Sequence, residues 1–260
     1  MTFIAGTRFL LVFTIVTGAL VLWMMSYVRS GRFLPQVRHI NGLDAIEEAI
    51  GRATEMGRPV HFSPGIAGVT DQSAPQTMAA MEILAYTTEL VAKYNTEMVV
   101  SIRTPDLFPI AQEVTRQRFL AAGKPDMFKE TTVQFFSSDQ FAYSASCMGF
   151  ITREHVAANI LMGAFWAESL LIAEAGARAG AIQVAGTANL HQIPFFVAAC
   201  DYTLIGEELF AGGAYLSQDK LKLGSMAGQD YLKVISLALL LLGALSATFQ
   251  SDFLTQLLSK

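Results

Sequence analysis

ANILMGAFWAESLLIAEAGARAGAIQVA, residues 158–185, carries the pattern that decides the fold. Residues 158–164 form a short apolar run of strand length, residues 167–179 an alanine-rich helical stretch, and residues 181–185 a second apolar run after Gly180. Two strands joined through a helix lie parallel, because a hairpin needs only a tight turn between its strands. Working outward, further β-rich runs begin near positions 60, 97, 131 and 201, again separated by helical segments. Leu43, Ile46, Ile50 and Ala53 share one face of a helix over 43–56, with Asp44, Glu47, Glu48 and Arg52 opposite and Gly57 ending it. Residues 75–94 read as a helix with Pro75 at its start. A third helix follows Thr104-Pro105-Asp106, with Leu107, Ile110, Val114 and Ala121 as its expected inner face. Ser137-Ser138-Asp139 reads as the cap of a helix reaching about residue 151. The expectation is an α/β domain with a Rossmann-like, mostly parallel sheet and helices on both faces. No fixed repeat period appears, and the strand order is not legible. Helix 167–180 is apolar nearly all round, so it is either deeply buried or part of a subunit contact, and a homo-oligomer is expected.

The ends of the chain have a different chemistry. Of 260 residues only 15% are charged, against about a quarter in ordinary soluble domains. Residues 9–28 and 234–249 contain no charge at all. The first run, at 1.5 Å per residue, covers the roughly 30 Å hydrocarbon core. It is long for the apolar region of a signal peptide and offers no small-x-small cleavage pattern at 25–29, so an uncleaved anchor is expected. The second run is shorter and borrows Tyr231, Leu232 and Gln250, while a tail with Phe253, Leu254, Leu257 and Leu258 suits the interface. Thr14 and Gly18 in one span, and Gly243, Ser246 and Ala247 in the other, either allow close helix contact or face lipid. The expected organisation is an N-terminal anchor with a basic juxtamembrane segment over 1–38, an α/β domain over 39–229, and a C-terminal span with a short tail over 230–260. This excludes a freely soluble or disordered protein and a polytopic transporter.

Charge sets the orientation and the partners. Arg8 is the only basic side chain before the first span, while Arg29, Arg32 and Arg38 follow it; Lys220, Lys222 and Lys233 precede the second, and Lys260 lies beyond. By the positive-inside rule the central domain is cytoplasmic in a two-span protein of the inner membrane, with both termini outside. Residues 39–229 hold 12 Lys and Arg against 20 Asp and Glu, a net charge of −8. Nucleic acid is therefore not an expected partner, since phosphate binding needs clustered cations. Anionic headgroups suit the juxtamembrane basic residues. Cys147 and Cys200 sit in apolar stretches without CxxC spacing and read as reduced, buried thiols.

In open α/β sheets ligands bind beyond the carboxyl ends of the strands. The polar residues just after the strands are the candidate binding set: Ser63, Gly65 and Gly68; Thr104 and Asp106; Ser138 and Asp139; Glu168; Gly186, Thr187, Asn189 and His191; Glu207 and Glu208. Each also has a plainer role, because such residues cap helices and complement helix dipoles. Ser63-Pro64-Gly65 lacks the spacing of a phosphate loop and reads as a tight turn. At Ala185-Gly186-Thr187 a strand is expected to pass directly into a helix, which would expose N–H groups to an anion, but no Arg or Lys lies nearby to name a nucleotide. Glu168, Glu207 and Glu208 with His191 or His61 would suit a hard cation, yet no ligand spacing supports a metal, and no cofactor is indicated. No nucleophile elbow or Cys-adjacent base is present. Phe135, Phe136, Phe141, Tyr143, Phe150, Phe165, Trp166, Phe195 and Phe196 are expected mainly as core.

Four stretches, His61-Phe62-Ser63-Pro64-Gly65, residues 138–143, residues 185–187 leading to Gln192-Ile193-Pro194-Phe195-Phe196, and residues 200–209, resemble an uncharacterised family of membrane-anchored domains in bacteria and archaea. The resemblance covers about residues 40–233. It implies a prokaryotic membrane protein and carries no catalytic residue. Three functions remain in play. The leading expectation is a self-associating scaffold or subunit of a larger membrane assembly. A small-molecule sensor at the strand-end rim is the second, and a hydrolase or transferase using Glu207 or Glu208 with His191 is the third.

Overall fold

A computed structural model describes residues 7–33, 35, 40–217 and 219–248. The chain forms two units, one spanning Arg38–Ser217 and the other combining Met1–Val37 with Gln218–Lys260. Arg38, His39 and the tail beyond residue 248, with its expected interfacial leucines, lie outside the described residues.

In the first unit the elements run α2 (Asn41–Met56), β1 (Val60–Gly65), α3 (Ala74–Tyr94), β2 (Met98–Ile102), α4 (Leu107–Ala121), β3 (Val133–Phe135), α5 (Gln140–Arg153), β4 (Ala158–Ala164), α6 (Glu168–Ala179), β5 (Ile182–Thr187), α7 (Ile193–Ala199), β6 (Tyr202–Ile205) and α8 (Glu207–Ser217), after α1 (Thr7–Arg29) of the second unit. All six strands pair in parallel, in the order β3-β2-β1-β4-β5-β6. This is the doubly wound order, whose direction reverses between β1 and β4. Both central strands are buried along their whole length, which is why β4 reads as an unbroken apolar run rather than an alternating one. Helices α2, α3, α4 and α8 pack among themselves as one layer, and α5, α6 and α7 as another.

Local chemistry explains most boundaries. Gly57 and Gly180 end α2 and α6 in the left-handed conformation, where glycine carries no Cβ penalty. Asp139 caps α5, accepting the N–H groups of Phe141 and Ala142. Helix α4 turns a different face inward from the one its large aliphatics suggest. Leu107, Ala111, Thr115 and Phe119 are buried, while Ile110 and Val114 are half-buried and Ala121 is exposed. Thr115 can sit inside because its hydroxyl donates to the Ala111 carbonyl at 2.7 Å. Thr87 and Thr88 do the same in α3, thirteen of whose 21 residues are buried.

Ser63-Pro64-Gly65 is not a free turn. It continues β1 through a bulge against β4, and the two backbones meet closely there. A Cβ on Gly65 (φ +85°) would fall 2.3 Å from the Ala164 oxygen, and one on Gly163 (φ +123°) 2.2 Å from the Pro64 oxygen. Both positions therefore demand glycine for conformation and for space.

In the second unit α1 and α9 (Lys220–Thr248) lie antiparallel. Both are long and apolar enough to cross a membrane. Gly18 and Gly243 make no close helix contact, since nothing lies within 4 Å of a Cβ built on either. The helices approach closely at two other glycines: a Cβ on Gly224 would fall 2.7 Å from the Met25 Cα, and one on Gly228 3.1 Å from the Val21 Cα.

The β1–β4 crossing gives a direct test. Gly163→Ala is expected to destabilise the protein by about 3 kcal/mol or more through strain and clash. Gly51→Ala in α2, with nothing within 4 Å of its Cβ, should stabilise by about 0.5–1 kcal/mol. Thermal unfolding of both variants checks the contrast, and equal effects would refute the crossing.

Candidate functional site

Four buried strands carry polar side chains among their apolar ones: His61 and Ser63 in β1, Ser101 in β2, Asn159 in β4, and Gln183 and Thr187 in β5. His61 is in register with Asn159, and Asn159 with Gln183, so the three form a lateral row across adjacent strands. The row's protons are ordered from one end. Gln183 donates its amide to the Ala173 and Ala199 carbonyls, both at 2.8 Å, which leaves its Oε1 to accept from Asn159 Nδ2 at 2.8 Å. Asn159 Oδ1 therefore faces His61 Nδ1 at 2.8 Å, and Nδ1 carries the proton. His61 Nε2 then accepts from the Ser101 hydroxyl at 2.9 Å. Tyr143 from α5 donates toward Ser101 at 2.9 Å, and Ser63 completes the chain, 2.7 Å from the Tyr143 hydroxyl. Helix α6 reaches the row only because residue 176 is glycine, since a Cβ there would lie 2.2 Å from Gln183 Oε1 and 2.7 Å from Asn159 Nδ2.

Ser101, His61 and Asn159 reproduce the nucleophile, base and orienter pattern of a catalytic triad. All three have no exposed surface, so a substrate carbonyl cannot reach Ser101 in this conformation. Burial pushes the His61 pKa down to about 4, only partly offset by its hydrogen bond to Asn159. Burial also raises the Tyr143 hydroxyl well above its usual value and pushes the Cys147 thiol up to about 12. Cys200, also unpaired, is pushed up to about 12 by burial and by the nearby Asp201 carboxylate. The row is a neutral hydrogen-bonded spine.

At the carboxyl ends of the strands the candidates divide. Ser63 belongs to the spine, and Gly65 to the β1–β4 crossing. Gly186 is packed, with the Met162 sulfur 2.8 Å from where its Cβ would lie. Asp139 caps α5, and Ser138 beside it is exposed. Glu168 is wholly buried, accepting the Trp166 N–H at 2.8 Å and the Gln140 side-chain amide. Glu208 accepts the Ile205 N–H at 3.1 Å, and Glu207 and His191 are exposed. Thr104 has a buried hydroxyl without a hydrogen-bond partner.

Gln76 in α3 is the hub that the sequence did not reveal. Its amide donates to Asn189 Oδ1 at 2.9 Å, and its carbonyl accepts the Ala188 N–H at 2.9 Å and lies 3.4 Å from the Thr187 hydroxyl. Asn189 in turn donates to the Phe165 carbonyl at 2.8 Å. Strand β5 runs through Thr187, and α7 starts only at Ile193. The N–H groups expected to face an anion are thus already bonded: Ala188 to Gln76, and Asn189 to the Thr187 hydroxyl at 3.2 Å. Among the described residues no three His, Cys, Asp or Glu side chains gather as a metal site, so Glu168, Glu207 and Glu208 do not converge.

Beside exposed Ser138, His191 and Glu207, the strand-end rim presents large apolar side chains. Leu190 is 78% exposed, Phe141 62%, Met78 50% and Trp166 47%, with Leu170 and Phe195 nearly as open. They flank the hydrogen bonds Gln140–Glu168, Ser169–Gln192 and Gln76–Asn189, which tie the starts of α3, α5, α6 and α7 together. A cleft of about 370 Å³ lies at the opposite end of the strands, over Met98, Phe119 and Phe150, beside the Lys129–Glu97 ion pair at 2.6 Å.

The fold is thus a doubly wound α/β domain accompanied by two long apolar helices. The chain belongs to the family described as Domain of unknown function (DUF6754), whose pattern matches residues 2–258. Both apolar helices lie inside the matched segment. No curated protein and no solved structure matches the chain.

The spine has a pH signature. The unfolded chain's imidazole takes up a proton near 6.5, whereas folded His61 resists protonation to about pH 4. Between those values the unfolded state binds more protons, so stability is fully present above 6.5 and falls as pH is lowered toward 4, by on the order of 3 kcal/mol. Melting temperatures from pH 7 to 5 should decline in the wild type and flatten in His61→Gln. The same slope in both proteins would count against the assignment.

Proposed function

We propose that this is a membrane-anchored α/β domain that self-associates and serves as a scaffold or as a subunit of a larger membrane assembly. The observation that carries this reading is the strand-end rim. Where α/β proteins of this strand order take small ligands, many of the polar groups here bond to one another, and the large exposed side chains include Phe141, Trp166, Leu170, Leu190 and Phe195, beside exposed Ser138, His191 and Glu207. Contiguous exposed apolar side chains with aromatic members mark interaction surfaces. A second copy of the chain is the occupant we favour, because anchored copies share one plane at raised effective concentration, where a modest interface suffices. The bias of Lys and Arg toward the residues just after the first apolar run and just before the second supports a cytoplasmic domain with both termini outside, as in a prokaryotic inner-membrane protein.

Light scattering of the detergent-solubilised protein should give a mass above the 28.2 kDa of one chain. Phe141→Asp with Leu190→Asp should weaken association by roughly a hundredfold or more, as for loss of two interface anchors, with little change in melting temperature. A wild type that is monomeric at all concentrations would overturn the reading.

A second reading, a small-anion sensor, draws on a different observation. Arg103 Nε and the Thr104 hydroxyl at the end of β2 are buried without partners, and two such donors suit an oxyanion. Arg103 also donates to the Ile66 carbonyl at 2.8 Å, which places it beside the β1–α3 loop. Phosphate should raise the melting temperature of the wild type and not of Arg103→Gln with Thr104→Val. No rise in the wild type removes this reading.

A further inference from the structure

The helix pair holds a mismatch. Gly224 sits against Met25 and Val28, and Gly228 against Val21, so an α9 residue lies beside the α1 residue whose number brings the sum to about 249. In that register the uncharged α1 run 9–28 lies beside α9 residues 221–240, which include Lys222, Gln229, Asp230 and Lys233. The uncharged α9 run, from residue 234 to about 242, lies beside α1 residues 15 down to 7. The centres of the two runs are offset by about eleven residues, or roughly 16 Å. One bilayer slab cannot hold both runs in full.

The burial pattern shows where each solvent lies. Among the described side chains of the pair, the buried ones are Met24, Val28, Leu223, Gly224, Ala227 and Gly228, all at one end. Elsewhere the two helices leave their aliphatic side chains open, as with Leu22, Val12 and Leu240. Apolar side chains are hidden from water and need not be hidden from lipid. Trp23 is 61% exposed and stacks on Tyr27 at 5.5 Å, and Tyr231 is also exposed. Exposed amphipathic rings of this kind favour the headgroup level. The Asp230–Lys233 pair, 2.9 Å apart and exposed, lies next to Tyr231.

Resting on the two-span reading, we infer that the water–lipid boundary crosses the hairpin at Trp23 and Tyr231. The levels of the two rings differ by roughly 7 Å in the observed register, about the thickness of one headgroup layer. Beyond the boundary the described helices run from Thr7 to Leu22 and from Leu232 to Thr248, each roughly 25 Å long. On the aqueous side, Met24–Arg29 and Lys220–Asp230 form a two-helix stalk roughly 8 Å tall along α1 and 15 Å along α9, zipped by Gly224 against Met25 and Val28 and closed by Arg29 and Lys220 at its end, with the Gly228–Val21 contact at the boundary. The surface this assigns is an aromatic and charged collar that fits the lipid headgroup layer. It places the last third of the 9–28 run outside the hydrocarbon.

The test uses the full chain in lipid vesicles. Single cysteines are placed at Ser26, Gln229, Val12 and Leu240, all exposed, in a Cys200→Ser background, with buried Cys147 as the unreactive internal control. Water-soluble maleimide should label Ser26→Cys and Gln229→Cys fully under conditions that leave Val12→Cys and Leu240→Cys unmodified. Trp23, made the sole tryptophan by Trp166→Phe, should be quenched more by shallow than by deep brominated lipids. Protection of Ser26→Cys and Gln229→Cys, with Trp23 quenched best by deep labels, would overturn the boundary and leave the two-span reading standing. Labelling at all four positions would overturn both.

Discussion

Five polar side chains of the sheet and Tyr143 of α5 form one buried spine, and the architecture depends on every one of their protons having a destination. A buried donor or acceptor left unpaired costs roughly 1–3 kcal/mol, so a spine of six that ended on an unmet group would cancel much of a domain's net stability. The spine ends instead on backbone. Gln183 is held by the Ala173 and Ala199 carbonyls, and that single fixed amide dictates the orientation of Asn159, the tautomer of His61 and the direction of the Ser101 hydroxyl. The spine thereby specifies the strand register, because moving β4 by one residue would turn Asn159 to the other face. It also positions the helices above it. Helix α6 must present glycine at 176, and α5 must present Tyr143.

The same constraint separates resemblance to catalysis from catalysis. A serine, a histidine and an amide in line are necessary for triad chemistry but also form an economical way to fill a sheet interior with satisfied polar groups. Accessibility decides between the two. At zero exposure the imidazole is held neutral, and the serine has no route to a substrate. The chemistry-bearing positions that do reach solvent, His191 and Glu207, stand apart from the spine.

Strand β4 and helix α2 were legible in the sequence because one physical signal dominates each: near-continuous apolarity for a doubly covered strand, and 3.6-residue periodicity for a one-sided helix. The face of α4 was not, because a threonine bonded to its own helix can replace an aliphatic residue inside. The spine left a trace that is clear in hindsight, polar residues inside the buried strands. Pairing those residues needs the strand order, which local sequence does not carry. Gln76 left no trace, since its partners Ala188 and Asn189 are over a hundred positions away. Of the nine aromatics expected mainly as core, Tyr143, Phe150, Phe165 and Phe196 are buried, whereas Phe135, Phe141, Trp166 and Phe195 are exposed. Composition counts these residues but does not place them. The contact glycines of the hairpin are not legible for a related reason: Gly224 and Gly228 lie in the charged half of α9, outside the uncharged run that marks the span.

That displacement bears on the shortage of charge in the chain. Helices long and apolar enough to cross a membrane need few charges, and so does α3, which is covered on most of its surface by the domain itself. Neither accounts for Leu190, Phe141 and Trp166, which remain open at the strand ends. Most of the polar groups around them bond inward, so hydrating this rim returns little in hydrogen bonds, and burying it against a matching surface loses little. An interface of this composition draws its favourable free energy from apolar area at about 25 cal/mol per Å² and meets a small desolvation cost for polar groups. That balance is the physical basis of the self-association we propose: the strand ends that give other α/β domains a ligand crevice here expose Leu190, Phe141 and Trp166.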